Sequence, residues 1–172
     1  MPVAVNMLST GRSFSEISQR YGGLEDSIMK LELLAKILGY AGLIPFLVFS
    51  LATWVPVPLA NNPHFVLSTY AAVILSFMGA IHWGVAMSRD SSIAVSELGF
   101  SVLPALLAWL ALLIPALFAY ALLVPCFFVL YLGDRYASDK GLLPDWYLPM
   151  RFVLTTVVIL SLIIAALALY AA

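Results

Sequence analysis

Hydrophobic positions in this chain fall in long, nearly unbroken runs, without the alternation of a half-buried strand or the three-to-four rhythm of a surface helix. Five such runs predict five membrane-spanning helices, at about 36–55, 65–88, 98–114, 116–133 and 151–171. Each approaches the ~20 residues that a helix needs to cross the hydrocarbon core. Between them lie a Pro- and Asn-rich loop over 56–64, a polar loop from Arg89 to Glu97, a tight turn at Pro115, and a longer loop over 134–150. Residues 1–30 are mixed in character and predict a soluble cytoplasmic tail. Within 24–38, Leu31, Leu34, Ile37 and Leu38 would share one face of a short amphipathic helix leading into the membrane. Pro45 is expected to kink the first span or widen a turn, and Pro104 falls within the first two turns of the third. The expected fold is all-α, with a single five-helix membrane domain over 31–172.

Composition agrees with this pattern. The 172 residues are 63% hydrophobic and 10% charged, and the mean hydropathy is +1.05; soluble domains are roughly half apolar and about a quarter charged. The net charge of -1 carries no message about partners. The single Cys126 excludes an intramolecular disulfide and a multi-cysteine metal site, and reads as a small packing residue. No basic stretch suits nucleic acid. The first residues lack the basic start, apolar core and small-residue cleavage site of a secretory signal, and Glu16, Glu25 and Asp26 argue against a mitochondrial transit segment.

The distribution of charge predicts orientation. With five spans and the N-terminus inside, all 8 Lys and Arg residues fall on the inner side: Arg12, Arg20, Lys30 and Lys36 before the first span, Arg89, then Arg135, Lys140 and Arg151. The 9 acids fall there too, so the C-terminus and outer loops carry neither, and His64 is the outer side's titratable residue besides tyrosines.

The second run stands apart in two ways. Ser68, Ala72, Ser76, Ala80, Gly84 and Ser88 are small and spaced by four, a stripe on which another helix could pack closely. His82 is the ionisable side chain deep inside the runs, on a different face, which Leu75, Met78, Gly79, Ala86 and Arg89 share. Polar groups at this depth are costly and tend to be retained for use. Two readings of His82 stand side by side: a ligand- or proton-binding group in the inner leaflet, or a neutral imidazole bonded to a neighbouring helix, with Trp83 as an interface residue.

Asp134, Arg135, Asp145, Trp146, Tyr147 and Arg151 lie on the inner side with His82. They could form an interfacial pocket with His82 and Trp83, or be ordinary belt aromatics and helix anchors. Near His82 only Met78, Met87 and Cys126 could add metal ligands, so no metal or other cofactor is expected. The chain lacks a phosphate-binding loop, a His-Glu-x-x-His zinc motif and a Gly-x-Ser-x-Gly elbow. No span carries a central carboxylate, and five spans do not divide into inverted halves, which disfavours a pump or a one-chain transporter.

Four stretches carry a resemblance: Leu38–Phe46, Ala72–Gly84 with its S-F-x-G-x-I-H-W-G signature, Ser101–Trp109, and Asp145–Arg151 with W-Y-L-P-x-R. Together, over about 36–165, the chain resembles the bacterial and mitochondrial family of domain of unknown function 3429. That resemblance implies a small integral protein of a bacterial inner membrane, or alternatively a mitochondrial one, and brings no activity, substrate or cofactor. The leading functional expectation is non-enzymatic: an accessory or assembly factor that binds membrane lipid, a larger complex or a second copy of itself. The alternatives are a quinone or lipid-headgroup site, or a membrane enzyme, around His82, Trp83, Asp134, Trp146, Tyr147 and Arg151, and, behind these, an oligomeric channel or transporter.

Overall fold

The computed structural model describes residues 14–55, 61–87 and 93–171, all of whose regular structure is helical. The helices are α1 (Phe14–Ala41), α2 (Ile44–Ala52), α3 (Pro63–Met87), α4 (Ile93–Leu112), α5 (Ala116–Asp139) and α6 (Tyr147–Ala171). Among the described residues four stretches are long and apolar enough to cross a membrane, Glu25–Ala52, Pro63–Gly84, Ala116–Asp139 and Tyr147–Ala171, and Leu98–Leu112 is a shorter apolar helix. The chain is a polytopic helical membrane protein.

It divides into two compact units, Met1–Leu38 and Gly39–Ala172. In the first, α1 carries a Lys36–Glu32 pair at 2.6 Å. The expected apolar face, Leu31, Leu34, Ile37 and Leu38, is exposed, and so are Ile28, Met29 and Leu33 on other faces.

In the second unit, the first apolar run is interrupted at Gly42-Leu43. The cause is Pro45 at the start of α2: it has no N–H to donate to the Ala41 carbonyl four residues back, so the helix does not run unbroken through this point. The Tyr70 hydroxyl crosses from α3 to donate to the Gly42 carbonyl in this interruption at 2.9 Å, and the Tyr70 ring meets Phe46 edge to face at 5.0 Å.

Helix α3 packs against α2, α4, α5 and α6, most extensively against α4. At that contact a Cβ on Gly79 would stand 2.7 Å from the Ser101 carbonyl oxygen and 3.2 Å from Pro104. Only a glycine lets the two backbones come so close. Pro104 sits in the middle of α4, because α4 begins at Ile93, ahead of the expected start near 98. The core around α3 is apolar: Phe46, Leu67, Leu75, Leu123, Phe127, Leu130 and Leu162 are each at most 1% exposed.

Two contacts fix the direction of α5 against α3. Near the start of both, His64 Nδ1 lies 3.1 Å from the Tyr120 hydroxyl. Near the end of both, His82 Nε2 lies 3.1 Å from Asp134 Oδ1. The two helices therefore run parallel, and α4 returns between them. The two histidines are separated by about 27 Å of helix rise, close to a hydrocarbon thickness.

Helices α5 and α6 extend further into the 134–150 stretch than expected, leaving 140–146 as the connection. Gly141, at φ 68, ends α5. The Leu142 N–H reaches the Ala137 carbonyl at 3.1 Å and the Gly141 N–H reaches that of Ser138 at 2.8 Å, the paired bonds of a glycine C-cap. Asp134 and Arg151 are thus inside helices, each more than a turn from the end.

Candidate functional site

Three helices deliver charge to one point. Asp134 comes from the last two turns of α5, Arg151 from the second turn of α6, and His82 from the last two turns of α3. They are 1%, 3% and 7% exposed. Charged groups are rarely buried this deeply unless paired. Here Arg151 Nε donates to Asp134 Oδ2 at 2.6 Å. Asp134 Oδ1 faces His82 Nε2 at 3.1 Å, close enough for an ion pair, although neither atom completes a hydrogen bond. Arg151 Nη1 points at Met78 Sδ, 2.7 Å away.

The cluster is not fully satisfied. Arg151 Nη2, the Tyr147 hydroxyl and Thr155 Oγ1 are buried without a hydrogen-bond partner. Tyr147, Arg151 and Thr155 are spaced by four, so they form a polar row on one face of α6. Unpaired buried donors are costly, on the order of 1–3 kcal/mol each in soluble proteins, and with Asp134 Oδ1 as the one unpartnered acceptor beside them the row keeps hydrogen-bonding capacity to spare.

The imidazole is positioned by its neighbours. Phe100 meets it edge to face at 5.5 Å. A Cβ on Gly133 would lie 3.0 Å from Phe100 Cε1 and 3.6 Å from His82 Cε1. Glycine at 133 thus makes room for the ring beside Asp134. Among the described residues no group of three or more His, Cys, Asp or Glu side chains could hold a metal.

Of the sequence-selected candidates, His82, Asp134 and Arg151 meet, with Tyr147 buried one turn before Arg151. Trp146 is half-buried and stacks edge to face on Tyr147 at 6.1 Å. Trp83 is elsewhere: it is exposed, and its Nε1 donates to Met87 Sδ at 2.9 Å along its own helix. One residue of helix is about 100° of rotation, which carries Trp83 off the His82 face. Arg135 and Asp145 are exposed. Gly133 and Thr155 belong to the site or its support without having been singled out in the sequence, whereas Met78 and Gly79 stood out there as sharing the His82 face.

The small stripe on α3 has a split fate. Ser68 and Ala72 are buried, Ser76 is half-buried, and Ala80 and Gly84 are exposed. A Cβ on Gly84 would meet nothing within 4 Å. Ser88 lies outside the described residues. Spacing of four overshoots the helical repeat by about 40° a step, so the row winds from the core onto the outer surface.

A family model described as "Protein of unknown function (DUF3429)" matches residues 32–167. Transmembrane protein 69 of Xenopus tropicalis is 36% identical over 131 residues, covering 73% of this chain and 51% of that protein. The chain therefore spans about half the length of this curated relative. No solved structure matches.

Proposed function

The chain belongs to the DUF3429 family of proteins of unknown function, and on that premise we propose that it is a non-enzymatic binding protein of the bacterial inner membrane, or of the mitochondrial one. It has five spans, with its N-terminus inside. Its cluster of His82, Asp134, Arg151 and Tyr147 takes the polar head of a lipid-like molecule from the inner leaflet.

The five-span count is supported by the parallel run of α3 and α5. If the His82–Asp134 and His64–Tyr120 contacts lie on opposite sides of the membrane, α4 must cross it. Its helix of 20 residues is about 30 Å long, enough for that crossing. Five spans with the N-terminus inside put the basic residues together on the inner side.

The observation that carries the binding role is the single-edged hold of Arg151 on Asp134. The guanidinium binds one carboxylate oxygen through Nε, while Nη2 has no partner. A purely structural pair in a membrane gains most from a closed, bidentate geometry. The test is mass spectrometry of the protein extracted with its native lipid annulus, wild type against His82→Ala. A small molecule that copurifies with the wild type and is lost in the variant is the expected result. Its absence from both contradicts the role.

A second reading, a docking surface for a partner helix, is favoured by one observation. Ala80 and Gly84 leave an open notch on the exposed side of α3, beside exposed Trp83. Protein subunits that copurify with wild type but not with Gly84→Leu would support it.

A further inference from the structure

The charge balance of the cluster bears on what chemistry it accepts, given its reading as a binding site. Asp134 and Arg151 already cancel one another at 2.6 Å. Arg135 and Lys140, the other described basic residues near this end, are exposed. With the His82 imidazole neutral, a phosphate brought to Arg151 Nη2 would face the Asp134 carboxylate at close range, with no other buried cation among the described residues to offset it. In surroundings of low effective dielectric, that like-charge pair is strongly disfavoured. A neutral carbonyl oxygen meets no such cost. It accepts from Nη2 and from the Tyr147 hydroxyl, both buried and unpartnered. Thr155 Oγ1 offers a third unpartnered donor on the same face, four residues beyond Arg151, about 6 Å along the axis.

We infer that the His82–Asp134–Arg151–Tyr147 site takes a neutral, carbonyl-bearing lipid in preference to an anionic phospholipid. This rests on the binding role proposed above. The carbonyl can come from a quinone ring or from the esters of a neutral glyceride.

The experiment titrates the full chain in phosphatidylcholine nanodiscs with three probes: a short-tailed benzoquinone, diacylglycerol and phosphatidic acid. Occupancy is read by native mass spectrometry. Saturable binding of the benzoquinone or of diacylglycerol is expected, weakened at least tenfold in Tyr147→Phe, with phosphatidic acid at least tenfold weaker than the neutral probe. Whichever neutral probe binds identifies the source of the carbonyl. Arg151→Lys, which keeps the positive charge beside Asp134 but lacks the Nη2 donor, should show the same loss, so a folding failure of one variant leaves the other informative. Phosphatidic acid binding as tightly as the neutral probes, with the same dependence on Tyr147, would overturn the neutral class and leave the site standing. No saturable binding by any probe, or binding unchanged in both variants, would overturn the site as well.

Discussion

Arg151 holds Asp134 by one edge: Nε donates to Oδ2 at 2.6 Å, while Nη2 of the same guanidinium has no partner. The other carboxylate oxygen is left to His82, 3.1 Å away on α3. One ionic cluster thus ties the C-terminal ends of α3 and α5 to the N-terminal end of α6 and still leaves donors free.

The first consequence concerns stability. Asp134→Ala leaves the Arg151 guanidinium buried and uncompensated, and should cost about 3–5 kcal/mol. Arg151→Met placed on top of it should recover most of that loss, because an apolar side chain of similar length needs no partner. Unfolding in lipid nanodiscs, followed for both variants and for Arg151→Met alone, checks the non-additivity. Equal and additive losses would mean that the two residues do not act as a pair.

Two glycines on α3 should behave oppositely. Gly79→Ala puts a methyl 2.7 Å from the Ser101 carbonyl oxygen and forces α3 from α4, with an expected cost of about 1–3 kcal/mol. Gly84→Ala has open space before it and should leave stability within about 0.5 kcal/mol of the wild type. Thermal denaturation of both in the same lipid decides it; a destabilising Gly84→Ala would place a packed neighbour at the notch.

Tyr70→Phe removes the donor to the Gly42 carbonyl. The ring contact with Phe46 survives, so the expected loss is only about 0.5–1.5 kcal/mol. Hydrogen exchange read by mass spectrometry should rise around Gly42 and remain unchanged around Asp134. A general rise in exchange would count against a local capping role.

Topology is checked independently of stability. Single cysteines placed at Asn61 and at Asp145, both exposed, in a chain with Cys126→Ala, should be labelled from opposite sides of sealed vesicles. A reporter fused after Ala172 should read outside. Labelling of both cysteines from one side would remove α4 from the spans.

Much of this architecture was legible because bilayer-length apolar runs are hard to mistake. The depth of Asp134 and Arg151 was less so. Both lie beside polar residues, Arg135 and Asp145 among them, and polar flanks look like loop whether or not the helix continues through them. The one local stop signal was Gly141, whose positive φ closes α5 a turn and a half later than the fall in hydropathy suggests. Trp83 was drawn in by adjacency to His82, although adjacent residues on a helix face different ways. Thr155 could have been found from its spacing, four beyond Arg151 and eight beyond Tyr147. The tight contact at Gly79 was not legible, since it depends on which part of α4 arrives opposite, and that is a property of the assembled bundle.

The most direct measurement removes the charges without removing the fold. Asp134→Asn combined with Arg151→Met should keep thermal stability close to that of the wild type in native lipid, since no uncompensated charge remains. The same protein, extracted with its lipid annulus and analysed by mass spectrometry, should have lost the small molecule that copurifies with the wild type. If that molecule is retained by the stable double variant, the cluster is only a tie between helices and the bound molecule sits elsewhere.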